Sequence, residues 1–508
     1  MNTVSKRHWG GATIVAGALA AALALSGCGG AAQESPAAEA GTSISESVAT
    51  TSAATPGESD INVTETLENA KDGEHAIEAD NVEAAYANVA VNKTGEADGD
   101  EADFYGENAA ILATNGATLD LTQMVVKTGG THANAVFSYG EGTIVNVSDS
   151  VIETSGNCSG GLMTTGGGTM NASNLNIHTT GNSSAAIRSD RGGGTVNVEG
   201  GTYATDGTGS PVIYSTADIT VSSADLASAA SQGVVVEGKN SVTLNDVTLE
   251  ASNTTKNSDK SDWYQAVMIY QSMSGDAASG ASSFTMNGGN LVNKNGDVFF
   301  VNNTVTTISL DGATITNEDA DGVFLRAAAA GWGNEGSNGG QVTLKAANQQ
   351  IDGNMLVDEV SNLNLYLSDG STFTGAVNPD GAAGEVYVEI ADGSAWTLTG
   401  DSYITSLTCG ADAINLNGHT LYVNGKAYES GSASTGTAIE VTVSETGQGG
   451  AGGTPPEGAP DGQGRGGQGG TPPEKPDGAP GDQGGTPPAK PDGAPGDQGG
   501  TPPAKPGA

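Results

Sequence analysis

The sequence predicts an all-β chain folded as a β-solenoid, and three observations carry that prediction. One apolar position recurs at a nearly fixed step: Leu121, Val147, Ala172, Val198, Val221 and Leu244 follow one another at 26, 25, 26, 23 and 23 residues. Around it lie short alternating runs rich in β-branched residues, the pattern of strands: Thr118-Leu119-Asp120-Leu121, Ile144-Val145-Asn146-Val147, Thr195-Val196-Asn197-Val198 and Ile219-Thr220-Val221. Each run is entered from a Gly-rich or polar turn such as Asn115-Gly116, Glu141-Gly142 or Gly192-Gly193-Gly194. Helical repeats of this length would show apolar residues three and four apart over ten or more positions, and none does. One such unit cannot bury its own apolar side, so copies stack and each strand pairs with its counterpart one coil away.

A second apolar column, Ile111, Phe137, Leu162, Ile187, Ile213 and Val235, leads the first by eight to eleven residues. A coil of about 22 to 26 residues with three short strands and unequal turns resembles the right-handed parallel β-helix. That is the scaffold of pectate-lyase-like enzymes and of many bacterial surface proteins.

Composition narrows the function classes. The chain has 78 glycines and 5% aromatics, so turns are many and the core is thin. With 59 acidic against 18 basic residues its formal charge is -41, which repels duplex nucleic acid and excludes it as an expected partner. Cys158 and Cys409 fall about ten coils apart, on the order of 48 Å at roughly 4.8 Å per coil. A disulfide tolerates only about 7 Å between Cα atoms, so no bridge is expected.

In chain order, Lys6-Arg7-His8 precedes an apolar run from Ala12 to Leu25 that ends in Leu25-Ser26-Gly27-Cys28. A basic start, a short apolar middle and small residues at the cut read as a secretory signal. The tetrapeptide resembles the bacterial lipoprotein box. That resemblance implies removal of residues 1–27, lipidation of Cys28, membrane lipid as a partner, and display at the cell surface. Residues 28–59, rich in Ala, Ser, Thr and Glu without an apolar period, are expected to form a flexible tether.

Residues 60–107 are expected to hold an N-terminal cap and the first irregular coils, with residues 60–85 covering the open strand edge. Within them Val89-Ala90-Val91-Asn92-Lys93-Thr94-Gly95 matches Met124-Val125-Val126-Lys127-Thr128-Gly129, and the acidic stretch from Glu96 to Asp103 should bulge out between coils. Residues 108–445 form the β-helix proper, its first column continuing at Met286, Leu310, Leu344, Leu367 and Ile390. Two long steps locate loop insertions, about 252–283 with Trp263, Tyr264 and Tyr270, and about 327–340 with Trp332. Long loops on a solenoid often carry binding. Residues 446–508 turn to Gly, Pro, Gln and Asp, with Gly-Gly-Thr-Pro-Pro recurring at Thr471, Thr486 and Thr501, and should be a disordered spacer.

Three constellations could carry chemistry. Arg188 and Arg191 flank Asp190 in one turn, two of only 18 basic residues within four positions. Paired guanidinium donors there could clamp the carboxylate of an acidic sugar, or the Arg and Asp could simply close the turn. Tyr214, Tyr270 and Arg326, with Tyr139 and Glu237, occupy the equivalent part of other coils, a row suited to gripping a linear polymer and equally to facing water. Trp263, Tyr264 and Trp332 could stack on sugar rings, or could pack the loops down. Asn317-Glu318-Asp319-Ala320-Asp321-Gly322 resembles the opening half of an EF-hand loop, but the acid expected six residues past the glycine is Ala328. Asp319 and Asp321 are left as ligands for a looser calcium site or as ordinary turn formers. No motif requires a cofactor, and calcium is an ion that oxygen-rich turns could hold.

No catalytic residue is assigned. The five histidines are scattered, and the chain has no Gly-x-Ser-x-Gly elbow, HExxH, Cys-His pair or P-loop. A β-helix lyase needs acids from adjacent coils converging on one calcium. The positions aligned with Asp190 are Gly140, Gly166 and Thr216. From roughly Asp80 to Glu445 the chain is similar to bacterial surface lipoproteins of the parallel β-helix class, particularly the non-catalytic branch that binds polysaccharides. The resemblance implies a membrane-tethered, non-enzymatic glycan-binding or adhesive protein. A polysaccharide lyase or hydrolase on the same fold, and a structural adhesin for a protein partner, are the alternatives.

Overall fold

The computed structural model describes residues 55–99, 101–256 and 260–441. The signal, Cys28, the tether up to residue 54 and the Gly/Pro-rich tail lie outside the described residues. Because each alternating run has one apolar side and too little area to bury it alone, the runs pair in parallel with their counterparts one coil on. They build a parallel β-helix with three faces.

The first face carries the column read from the sequence. Tyr86, Leu121, Val147, Ala172, Val198, Val221, Leu244, Met286 and Leu310 stack in direct register. The next member is Ala346, not Leu344, which instead pairs with Ile308; Leu367, Ile390 and Cys409 follow. Strand Gly340–Ala347 buries Val342, Leu344 and Ala346 alike, so alternation fits either register and alanine marks the true one poorly. On the second face Val91, Val126, Ile152, Ile177, Tyr203, Leu226 and Leu249 stack in the same way. Two 12-residue strands, Gly168–Thr179 and Gly194–Thr205, run from the first face into the second and join them.

The third face stacks Ile77, Ile111, Val136, Leu162, Ile187, Ile213, Val234, Val267, Phe299, Leu325 and Met355. Phe137 and Val235, expected in this column, stand one residue off and point outward. A one-residue shift reverses every side chain, and the shift was hidden because this face is buried on both sides. Runs such as Val-Phe-Ser-Tyr and Asp-Val-Phe-Phe-Val-Asn lose their alternation for that reason.

The turn from the second face to the third is fixed by a recurring Thr and Ser five residues apart. Thr154, Thr179 and Thr205 donate their hydroxyls to the carbonyls of Ser159, Ser184 and Ser210 at 2.6, 2.5 and 2.6 Å. Those serines donate to the carbonyls of Gly130, Gly156 and Gly181 at 2.8, 3.0 and 2.8 Å. The coils approach so closely here that a Cβ on Gly181 would lie 1.8 Å from the Gly156 carbonyl oxygen, which only glycine permits.

Residues 65–87 supply the first strand of each face, Glu65–Asn69, Ile77–Asp80 and Glu83–Ala87. Glu65, Glu68, Glu78, Asp80 and Glu83 are exposed along that first coil. The long insertion expected at 252–283 divides in two, because strand Gln265–Tyr270 belongs to the third face. What remains are loops at 252–256, 260–264 and 271–280.

Candidate functional site

Beneath two covers runs the outward column of the third face: Leu112, Phe137, Met163, Arg188, Tyr214, Val235, Met268, Phe300, Arg326 and Leu356, in register. A flap of residues 94–99 and 101–109, containing the short helix Glu101–Tyr105, covers its first members, and Leu112, Phe137, Met163 and Ala109 form a small outer core. The flap is tied down by the Thr165 hydroxyl, which donates to the Phe104 carbonyl at 2.7 Å. The later loops cover Val235, Met268 and Phe300 with Trp332 and Ala328, and Trp263 and Tyr270 pack against them. Arg188 and Tyr214 fall between the covers. There the face opens into a pocket of about 290 Å³ lined by Asp103, Phe104, Ser183, Ala185, Arg188, Asp190, Gly209, Pro211, Tyr214 and Asp276.

Arg188 donates from Nη2 to Asp103 Oδ2 at 3.1 Å and to Asp190 Oδ2 at 3.0 Å. Its Nη1 is buried and meets no acceptor among the described residues. Burial opposes the charge, but Asp103 and Asp190 outweigh it and keep the guanidinium protonated. Arg191 bridges the covers: Nε and Nη2 donate to Asp276 Oδ1 at 3.0 and 2.6 Å, and the guanidinium lies 3.8 Å from the centre of the Phe104 ring. Asp190 accepts the Arg191 backbone N–H at 2.9 Å. Burial pushes its carboxyl up to about 6 despite Arg188 and that N–H. Burial acts on Asp103 too, but Arg188, His132 and Asn134 together hold its carboxyl below the ordinary value.

Tyr214 and Tyr270 both donate to Glu237 Oε2, Tyr270 at 2.9 Å, and burial with the nearby negative charge raises both phenols well above their ordinary value. Trp332 is buried, its ring 5.2 Å from that of Tyr270, and half-buried Trp263 lies 5.4 Å from Phe300. Arg326 sits over Trp263 at 4.7 Å and donates from Nε to Asp297 Oδ2 at 2.6 Å. Trp263 and Arg326 line a second pocket, about 280 Å³, with Leu356, Asn378 and Asp380. Tyr264 is half-buried, 6.0 Å from Lys256 Nζ. Asp319 spends its two carboxylate oxygens on the backbone N–H groups of Gly296 and Asp321, at 2.6 and 3.0 Å, and so closes its own turn and ties it to the preceding coil.

Sequence reasoning missed two groups. Asp103 reaches the pocket from the flap, which no repeat spacing announces. His132 and Cys158 are neighbours in space, one coil apart, so the Cys-His pair that is absent locally exists through stacking. Their 26-residue separation, equal to the coil step, was the available signal.

The charges decide what the pocket suits. Each guanidinium already has a carboxylate partner, and Asp103, Asp190 and Asp276 outnumber Arg188 and Arg191. An acidic sugar would have to displace an aspartate, whereas a neutral polyhydroxylated group meets several carboxylate acceptors.

These features define the class: a parallel β-helix with one face covered by the chain's own insertions. No family model matches the chain, and no curated protein or solved structure does.

Proposed function

We propose that this is a surface-displayed, non-enzymatic glycan-binding or adhesive β-helix, tethered to membrane lipid through Cys28. Its sugar site is the pocket between the flap and the 271–280 loop. The observation that carries this reading is a pocket whose wall sets the paired Arg188 guanidinium among the carboxylates of Asp103, Asp190 and Asp276. Sugar hydroxyls can donate to those carboxylates in charge-assisted hydrogen bonds. Because both arginines are already paired, neutral glycans are favoured over polyuronates.

The test uses the full chain with neutral and uronate oligosaccharides, reading retention and the release of reducing or unsaturated ends. Neutral glycans should be retained and no ends released. Arg188→Gln should weaken retention about tenfold or more. Ser183→Asn, which crowds an exposed rim position at φ +55° that Asn tolerates, should do the same without disturbing the buried charges. Undiminished retention in both variants removes the pocket from the proposal, and released unsaturated ends replace it with a lyase.

A further inference from the structure

The turn between the second and third faces brings His132 and Cys158 together. Both have left-handed backbone, at φ +53° and +54°, and the His132 N–H donates to the Asn157 carbonyl at 2.9 Å, which locks one turn on the next. Imidazole and thiol therefore leave equivalent positions of adjacent coils. Asp103 arrives from the flap, with Oδ1 at 3.2 Å from His132 Nδ1. One donor atom from each of the three lies within 4.8 Å of the other two.

That compactness separates two chemistries. In an acid–imidazole–thiol relay the carboxylate and the sulfur contact opposite ring nitrogens and stand roughly 6 Å or more apart. A tetrahedral zinc ion, with bonds of about 2.0–2.3 Å, gathers its donors to about 3.3–3.8 Å from one another. The triangle here, within 4.8 Å with one edge at 3.2 Å, is too compact for the first and close to the second.

We infer that Asp103, His132 and Cys158 form a binding site for a zinc-class divalent ion, which staples the flap to two coils of the stack. A thiol with an imidazole selects this class over calcium or magnesium, which take oxygen ligands. Ligation deprotonates the thiol and releases that proton to solvent. The charges then balance, with the thiolate, Asp103 and Asp190 set against Arg188 and the divalent ion. Asp103 keeps Oδ2 on Arg188 at 3.1 Å and receives Asn134 Nδ2 on Oδ1 at 3.2 Å, second contacts that orient a ligating carboxylate. Three protein ligands leave a fourth position for water or a ligand donor. Since Asp103 and Phe104 also line the pocket, loading the ion fixes one of its walls.

The full chain, stripped with a chelator, is titrated with zinc against a chromophoric chelator and with cobalt while thiolate-to-cobalt charge-transfer absorption is recorded. One equivalent should bind with that absorption. Cys158→Ser should abolish the band, Cys28→Ser should retain it, and Asp103→Asn or His132→Ala should weaken zinc at least about tenfold. Zinc should also slow proteolysis within residues 96–107 and shield Cys158 of the native chain from alkylation, a reading that needs no variant. Absence of the band, its survival in Cys158→Ser, or unhindered alkylation of Cys158 in excess zinc overturns the site. Sugar retention by the metal-free chain is scored separately, so either proposal can fail alone.

Discussion

Asp190 and Asp103 share one guanidinium and respond to pH in opposite directions. Asp190 is raised to about 6 in the fold against an ordinary 3.8, so the folded chain holds its proton more tightly between those values. Stability from this group therefore falls as pH rises from about 4 to about 6 and is level above. Asp103 is held below its ordinary value, so its contribution is present above about pH 4 and is lost as pH falls through its lower folded value. Denaturant unfolding of the native chain and Asp190→Asn should show the variant gaining about 2 kcal/mol on the native chain between pH 4.5 and pH 7. An identical difference at both pH values refutes this assignment. The Arg188–Asp190–Arg191 cluster was legible because basic residues are rare in this sequence. Asp103 was not, since only the folded flap delivers it.

Among the elements, the second-to-third turn is the least tolerant of change. Gly181→Ala would drive a Cβ to 1.8 Å from a carbonyl one coil below, and because that obstacle is backbone the coils must part. Gly116, at φ +77° with nothing within 4 Å of a built Cβ, meets conformational strain alone. Thermal unfolding should place Gly116→Ala about 1 kcal/mol below the native chain and Gly181→Ala about 3 kcal/mol or more below it. Equal losses would mean that the close approach is not what demands glycine. The flap was half legible. Its acidic stretch was expected to leave the stack, but nothing in Phe104 or Ala109 distinguishes an anchor from an ordinary coil residue. The strands beneath it betrayed their cover only by failing to alternate, as Leu162–Thr165 does with all four residues buried.

For the whole molecule, the repeat step was enough to obtain the parallel stack, because pairing one coil apart is the only way these runs bury their apolar sides. The loop-covered face was out of reach, since which insertion folds back over which strand depends on contacts far apart in sequence. The exposed acids on the first coil have an effect at this scale. Among the described residues no strand pairs with the outer edge of this coil; such an edge invites a second copy, and like charges placed along it discourage end-to-end pairing. Replacing Glu65, Glu68, Glu78 and Glu83 together by Gln should produce association by sedimentation velocity at concentrations where the native chain shows less. Indifference to the replacement would show that charge does not guard that end.

Direct register between coils makes the molecule a ruler graduated in units of about 4.8 Å. Ile187, beside Arg188, stands four graduations above Ile77, about 19 Å along the axis. Coils added or lost beyond the covering loops would change the reach of the far end and leave that height unaltered.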